Sequence, residues 1–196
     1  MASPRITRDQ ARELYRGELS SLGVAASQAR YQKHPDKIVS YSIQRTVNYT
    51  NICNAYCSFC SFYRAPGSEE GYVLSDDEIL AKIEDAIGRG ASGIFIQGGD
   101  HPDLKIEYYE VLLRKIKSRF DIWLHSFSAS EIVNLAAVSG ISLEEAITRL
   151  RDAGLDSIPG AGAEILDDEV RTRISPMKIN TAQWLAVHRK AHRLGL

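Results

Sequence analysis

Along this chain the apolar positions change period repeatedly. Short runs alternate every second residue, as strands do, and longer stretches between them repeat every three to four, as helices do. Residues 1–36 read as a helical extension: Thr7 with Gln10 three places on matches a capping box, and His34-Pro35-Asp36 ends the segment. A first strand is expected over Lys37–Arg45, with Val39, Tyr41 and Ile43 on one face. Ser75 and Glu78 open a helix carrying Ile79, Ile83 and Ile87, which closes at Gly88 and Gly90. Gly93-Ile-Phe-Ile-Gln97 reads as a buried strand stopped by Gly98-Gly99, and a helix through Tyr108, Leu112, Leu113 and Ile116 follows. Asp121–Ser126 is the third expected strand. Ser128 with Glu131, and Ser142 with Glu145, each cap a helix after it. A fourth strand begins at Ser157-Ile158 and runs into Pro159-Gly-Ala-Gly162, and a last helix carries Trp184, Leu185, His188 and Ala191.

Strands separated by helices imply an α/β fold with parallel pairing through crossover connections. About four strand–helix units are legible, whereas a closed barrel of this type has eight in about 250 residues. The expectation is therefore a TIM-like partial barrel over 37–196, its N-terminal half, preceded by the helical extension over 1–36.

Charge narrows the partners. Lys and Arg number 24 against 25 Asp and Glu, so no basic field points to nucleic acid or an anionic membrane. Arg5, Arg8, Arg12 and Arg16 precede no apolar core, so no signal peptide is read, and no apolar run reaches membrane-spanning length. A small-molecule partner and a reducing, cytoplasmic setting are the expectation.

All three cysteines, Cys53, Cys57 and Cys60, fall within eight residues. An odd number without secretory signals argues against a disulfide framework. A structural zinc site takes four ligands, commonly as two pairs; His101 could be a remote fourth, but no second C-x2-C exists. Three thiolates at C-x3-C-x2-C can instead hold three irons of a 4Fe-4S cluster and leave the fourth iron open to a small molecule.

Active sites of parallel α/β folds lie beyond the C-terminal ends of the strands. That rule gathers the cysteine loop, Gln97–His101, His125-Ser126 and the 159–164 loop on one face. Gly98 and Gly99 allow close backbone approach to a ligand, or simply form a strand-to-helix turn. Glu164, ending a Gly-rich turn, could accept hydrogen bonds from ribose hydroxyls; alternatively it caps a helix or pairs with Arg171 or Arg173. The absence of Gly-Lys-Ser/Thr excludes a phosphate loop. His125, at a strand end, is a candidate for substrate contact or acid–base chemistry. Tyr63 and Arg64 could stack on or hydrogen-bond a polar aromatic substrate, or pack as ordinary loop residues. His101 is expected to structure its turn, and His188 and His192 to lie on a helix surface.

Taken together these stretches resemble the radical S-adenosylmethionine (SAM) enzymes. The resemblance is carried by Asn48–Cys53, Cys60–Arg64, Gln97–Pro102, His125–Ser128 with Glu131, Gly154–Ile165 and Arg171–Lys178, and it covers nearly the whole chain. It is strongest to the futalosine branch of menaquinone biosynthesis, and within it to the synthases that cyclise dehypoxanthine futalosine. Aminofutalosine synthases and deazaflavin (FO) synthases are the neighbouring alternatives. Asp100 stands where that family has Glu, and Ala161 where a third glycine is expected.

The resemblance implies a 4Fe-4S cluster on Cys53, Cys57 and Cys60. It implies SAM contacts from Phe59, Gly98, Gly99, Asp100, Ser126 and Glu164, and substrate contacts from Tyr63, Arg64 and His125, with His125 also catalytic. A 5′-deoxyadenosyl radical generated at the cluster would abstract hydrogen from the ribose of dehypoxanthine futalosine, and the substrate radical would close onto the benzoate ring. The implied partners are that substrate and an electron donor such as flavodoxin or ferredoxin, with self-association of an open half barrel. Alternatives of another class are a zinc-stabilised binding module and a catalytically inactive short chain.

Overall fold

The computed structural model describes residues 5–196. The first four residues of the expected 1–36 extension lie outside these. The chain forms two compact units, one ending at Tyr41 and one running from Ser42 to Leu196.

The first unit holds α1 (Arg8–Arg16) and α2 (Leu19–Lys33). The capping box forms: the Gln10 amide donates to Thr7 Oγ1 at 3.2 Å, and the Thr7 amide to Gln10 Oε1 at 2.8 Å. Gly17 closes α1, and α2 ends where the His34 amide donates to Arg30 O at 2.8 Å. Neither helix buries a side chain.

The second unit is built on a three-stranded parallel sheet, β1 (Gln44–Asn48), β2 (Gly93–Gln97) and β3 (Trp123–Leu124), in that order. The first strand starts later than its alternation suggests. Val39 and Tyr41 are 75% and 87% exposed, and the ladder begins at the Gln44–Gly93 pair. Alternation identifies residues suited to a sheet face, but a strand extends only as far as its partner, and β2 is five residues long.

Side chains alternate across β2. Ile94 and Ile96 are fully buried in the core, and Phe95 and Gln97 face the other way and are half-buried. Helix α3 (Asp76–Gly88) starts at a complete Ser75–Glu78 capping box. It buries Ile79, Ile83 and Ala86, while Ile87, expected on that stripe, is 37% exposed. The stripe steps by four and then three residues, so Ala86 rather than Ile87 completes it.

Helices α4 (Ile106–Arg119), α5 (Ala129–Ser139) and α6 (Leu143–Ala153) complete the core with Leu112, Leu113, Ile132, Leu135, Ile147 and Leu150. The Arg149 guanidinium ties α6 to α4 through Glu107 at 3.1 Å and Glu110 at 2.6 Å. The expected fourth strand is present as a single parallel bridge between His125 and Ser157, with the Ser126 amide donating to Ser157 O at 3.0 Å. Two helices follow, α7 (Asp168–Ile174) and α8 (Thr181–Arg193). This is an α/β partial barrel, as the strand–helix alternation predicts. Among the described residues no helix is long and apolar enough to cross a membrane.

Candidate functional site

A cavity of about 320 Å³ opens beyond the C-terminal ends of β1 and β2. Cys53, Cys57, Cys60, Phe59, Tyr63, Gly98, Gly99, Asp100 and Glu164 line it, together with Asn48, Asn51, Gln97, Ser130 and Lys178. Nine residues singled out from sequence therefore share one wall-to-wall space.

The cysteine loop is held at three points. The Cys53 amide donates to Arg64 O at 3.0 Å and the Arg64 amide to Asn51 O at 2.7 Å, while the Ser58 amide reaches Ile174 O at 2.8 Å. All three cysteines are free. The Cys53 sulfur accepts the amides of Asp100 at 3.3 Å and Ala55 at 3.4 Å. Burial and then the Asp100 carboxylate push the Cys53 thiol up, against the pull of those two amides. Burial also raises Cys57, with Lys178 pulling it back. Desolvated thiols of this kind ionise fully only beside added positive charge, and a metal centre supplies it.

Among the described residues no three or more His, Cys, Asp or Glu side chains converge as they would on one ion. Three free thiols lining one cavity are the donor set of a cluster in which each binds a different iron. The His101 ring accepts the Asp103 amide at 3.1 Å, within its own turn.

The Gly98-Gly99-Asp100 loop is stitched to the cysteine loop. A Cβ on Gly98 would lie 2.6 Å from the Tyr49 ring, and one on Gly99 only 2.2 Å from Ile52 O and 2.6 Å from Cys53 Cβ. The neighbouring chain demands glycine at both positions, a packing reason that stands beside the ligand approach and the turn their sequence suggests. The Asn54 amide donates to Asp100 O at 3.1 Å, and Ser130 Oγ donates to the Asp100 carboxylate at 2.5 Å. Burial raises the Asp100 carboxyl against that hydrogen bond.

Glu131 does more than the cap its sequence indicates. The Ser128 amide donates to one carboxylate oxygen at 2.8 Å. The other accepts the Gly98 amide at 2.9 Å and the Tyr49 hydroxyl at 3.1 Å. Its burial pushes this carboxyl up to about 7.

On the opposite wall Lys178 Nζ donates to Glu164 at 2.8 Å, and the Arg171 guanidinium lies 3.7 Å from the second Glu164 oxygen. The ion-pair alternative for Glu164 is thus realised, and Glu164 faces the cavity as well. Lys178 Nζ also sits 5.9 Å from the Phe59 ring centre. Lys178 was not among the sequence candidates; it lies fourteen residues from Glu164 in no regular spacing, and its membership in the Arg171–Lys178 stretch was the available signal.

Three candidates do not line the cavity. Ser126 is fully buried and its hydroxyl accepts the Ile96 amide at 3.3 Å, which fixes β2 to the end of β3. Arg64 pairs with Glu70 and donates to Tyr63 O at 3.0 Å, clamping its own loop. His125 lies tilted against the Phe95 ring, 5.6 Å between ring centres, with Nδ1 2.7 Å from Ser157 Oγ; burial lowers its basicity. His188 lies over the Trp184 ring at 4.0 Å, as part of α8.

Comparison with known proteins places this geometry. The family profile described as Radical SAM superfamily matches residues 47–196. Cyclic dehypoxanthine futalosine synthase of Halalkalibacterium halodurans is 48% identical over 98% of this chain and 52% of its own length. The 5-amino-6-(D-ribitylamino)uracil–L-tyrosine 4-hydroxyphenyl transferase of Trichormus variabilis is 43% identical over 92% of this chain and 47% of its own. The solved structure of methylornithine synthase superposes with a TM-score of 0.70 at 17% identity, over 98% of this chain and 54% of that one, which shows a shared fold. The chain spans about half the length of the curated relatives it matches.

Proposed function

The chain belongs to the radical SAM superfamily, and from that premise we propose that it is the cluster- and SAM-binding part of an enzyme of menaquinone biosynthesis that cyclises dehypoxanthine futalosine. The observation that carries the proposal is the single cavity. It joins three free thiols, a Gly-Gly-Asp loop and a Glu–Lys pair in a chain 48% identical to a protein named for that reaction.

The cofactors of this family are a 4Fe-4S cluster and SAM, and when bound they supply one-electron cleavage of SAM to a 5′-deoxyadenosyl radical. The protein's part is binding and orientation. Cys53, Cys57 and Cys60 hold the irons. The backbone of Gly98 and Gly99, with the Asp100 carboxylate behind it, takes the methionyl ammonium. Glu164 accepts the ribose hydroxyls, and Lys178 supplies the cation facing a carboxylate. Phe59 and Tyr63 close the apolar side, while Arg64 holds the loop that carries Tyr63. His125 is the candidate proton carrier, its basicity lowered by burial. An electron donor of flavodoxin or ferredoxin type serves the cluster.

The likeness to the hydroxyphenyl transferase supports a second reading, in which a tyrosine-derived fragment is transferred. One assay separates the two. Cluster-loaded protein is incubated anaerobically with SAM and dithionite, with either dehypoxanthine futalosine or ribitylaminouracil plus tyrosine. Product coupled to methionine release in the first mixture alone supports cyclisation. Turnover confined to the second mixture overturns it.

A further inference from the structure

The wall that carries Glu164 is held by a buried cation. Arg171, in α7, has a side chain only 4% exposed, and its guanidinium gives every hydrogen bond it makes to main-chain oxygens. One terminal nitrogen donates to the carbonyls of Gly162 at 3.1 Å, Ala163 at 2.7 Å and Ile165 at 2.9 Å. The other terminal nitrogen and Nε donate to Ile179 O at 2.7 and 3.3 Å. The carbonyls on one side bracket Glu164, and the carbonyl on the other belongs to the residue after Lys178.

A buried charge is costly unless its donors are all used, and an apolar side chain of similar size commonly packs as well. Packing alone therefore gives no reason for arginine here. A planar fork with donors along two edges can span two loops at once, which neither an apolar side chain nor a lysine can do. The turn it grips needs holding. Gly162 sits at φ 83° and Glu164 at φ 32°, and the second is a conformation that non-glycine residues adopt only where their surroundings impose it.

We infer that Arg171 is a positioning residue for the SAM pocket. It fixes the distance between Glu164 and Lys178, and so sets SAM affinity without lining the cavity. The inference rests on the proposal that Glu164 contacts SAM.

The test is a double-mutant cycle read as the SAM dissociation constant, by calorimetry on anaerobic, cluster-loaded protein without reductant. Arg171→Lys keeps the charge but loses the two-loop grip. In the native background it should weaken SAM at least tenfold, with the cluster's paramagnetic resonance signal retained on separate reduction. In the Glu164→Gln background the same change should cost less than threefold, because the group being positioned is already impaired. Equal losses in both backgrounds, or no loss in the native one, overturn the positioning role.

Unchanged SAM affinity in Glu164→Gln alone overturns the pocket reading and this inference with it. Should Arg171→Lys fail to give folded protein, Arg171→Gln carries the same cycle. It keeps a planar donor group but is too short to reach both loops, and its losses are judged by the same two thresholds.

Discussion

Replacing Glu131 by Gln should change how the stability of the second unit depends on pH, and the size follows from the burial of that carboxyl. In the folded protein it is raised to about 7 from the ordinary 4.5, first by desolvation, with the Asp100 charge adding to it and the Ser128 and Gly98 hydrogen bonds opposing. The groups facing it are Asp100, the Tyr49 hydroxyl from the end of β1 and, through Tyr49, the Tyr109 hydroxyl of α4. The unfolded chain releases the proton near 4.5 and the folded chain near 7. Folding is thus favoured most below 4.5, and this contribution is lost as pH rises to 7.

The gap corresponds to about 3 kcal/mol of stability lost between pH 4.5 and 8. Gln cannot titrate, so the variant lacks that slope. It also places a donor where Ser128 N–H needs an acceptor, which lowers stability by about 1–3 kcal/mol at all pH values. The two curves should be well separated at pH 4.5 and close, or crossed, at pH 8. Urea unfolding of cluster-free, reduced protein, followed by tryptophan fluorescence, measures this, because Trp123 and Trp184 both lie in the second unit. Curves that stay parallel within about 0.5 kcal/mol across the range would refute the buried, protonated Glu131.

Three further outcomes are expected. Cys53→Ala, Cys57→Ala or Cys60→Ala should each abolish cluster retention or SAM cleavage, since no other cysteine exists; iron and sulfide analysis of anaerobic preparations checks it. Glu164→Gln should weaken SAM about ten- to a hundredfold, the loss of one charged acceptor worth about 1.5–3 kcal/mol, while the reduced cluster's resonance signal persists. Gly99→Ala should destabilise the second unit by about 1–3 kcal/mol and impair cluster loading, because its methyl would collide with Ile52 O and Cys53 Cβ; thermal unfolding together with iron content tests both parts.

Much of the fold was legible because its signals are local. Capping pairs such as Ser75–Glu78 and Ser128–Glu131 act within one turn, and the strand–helix order by itself implies a parallel sheet. The extent of β1 was not legible, because pairing with five-residue β2 decides where a ladder begins, and that partner is some fifty residues away. Ile87 misled for a similar reason: which side of an apolar stripe is buried depends on the surface it meets.

The candidate site divides along the same line. The sequence by itself determined that three thiols share one loop and that Gly98, Asp100 and Glu164 follow strand ends, since those are facts of spacing and topology. Only the tertiary structure decided that Ser126 is a buried tie between strands and that Arg64 clamps its own loop. It alone showed that Lys178 meets Glu164 and that Glu131 reaches Gly98. The Ser126, Lys178 and Glu131 contacts join residues distant along the chain, and their energies depend on burial and pairing that only the fold creates, for which one-dimensional spacing carries no signal.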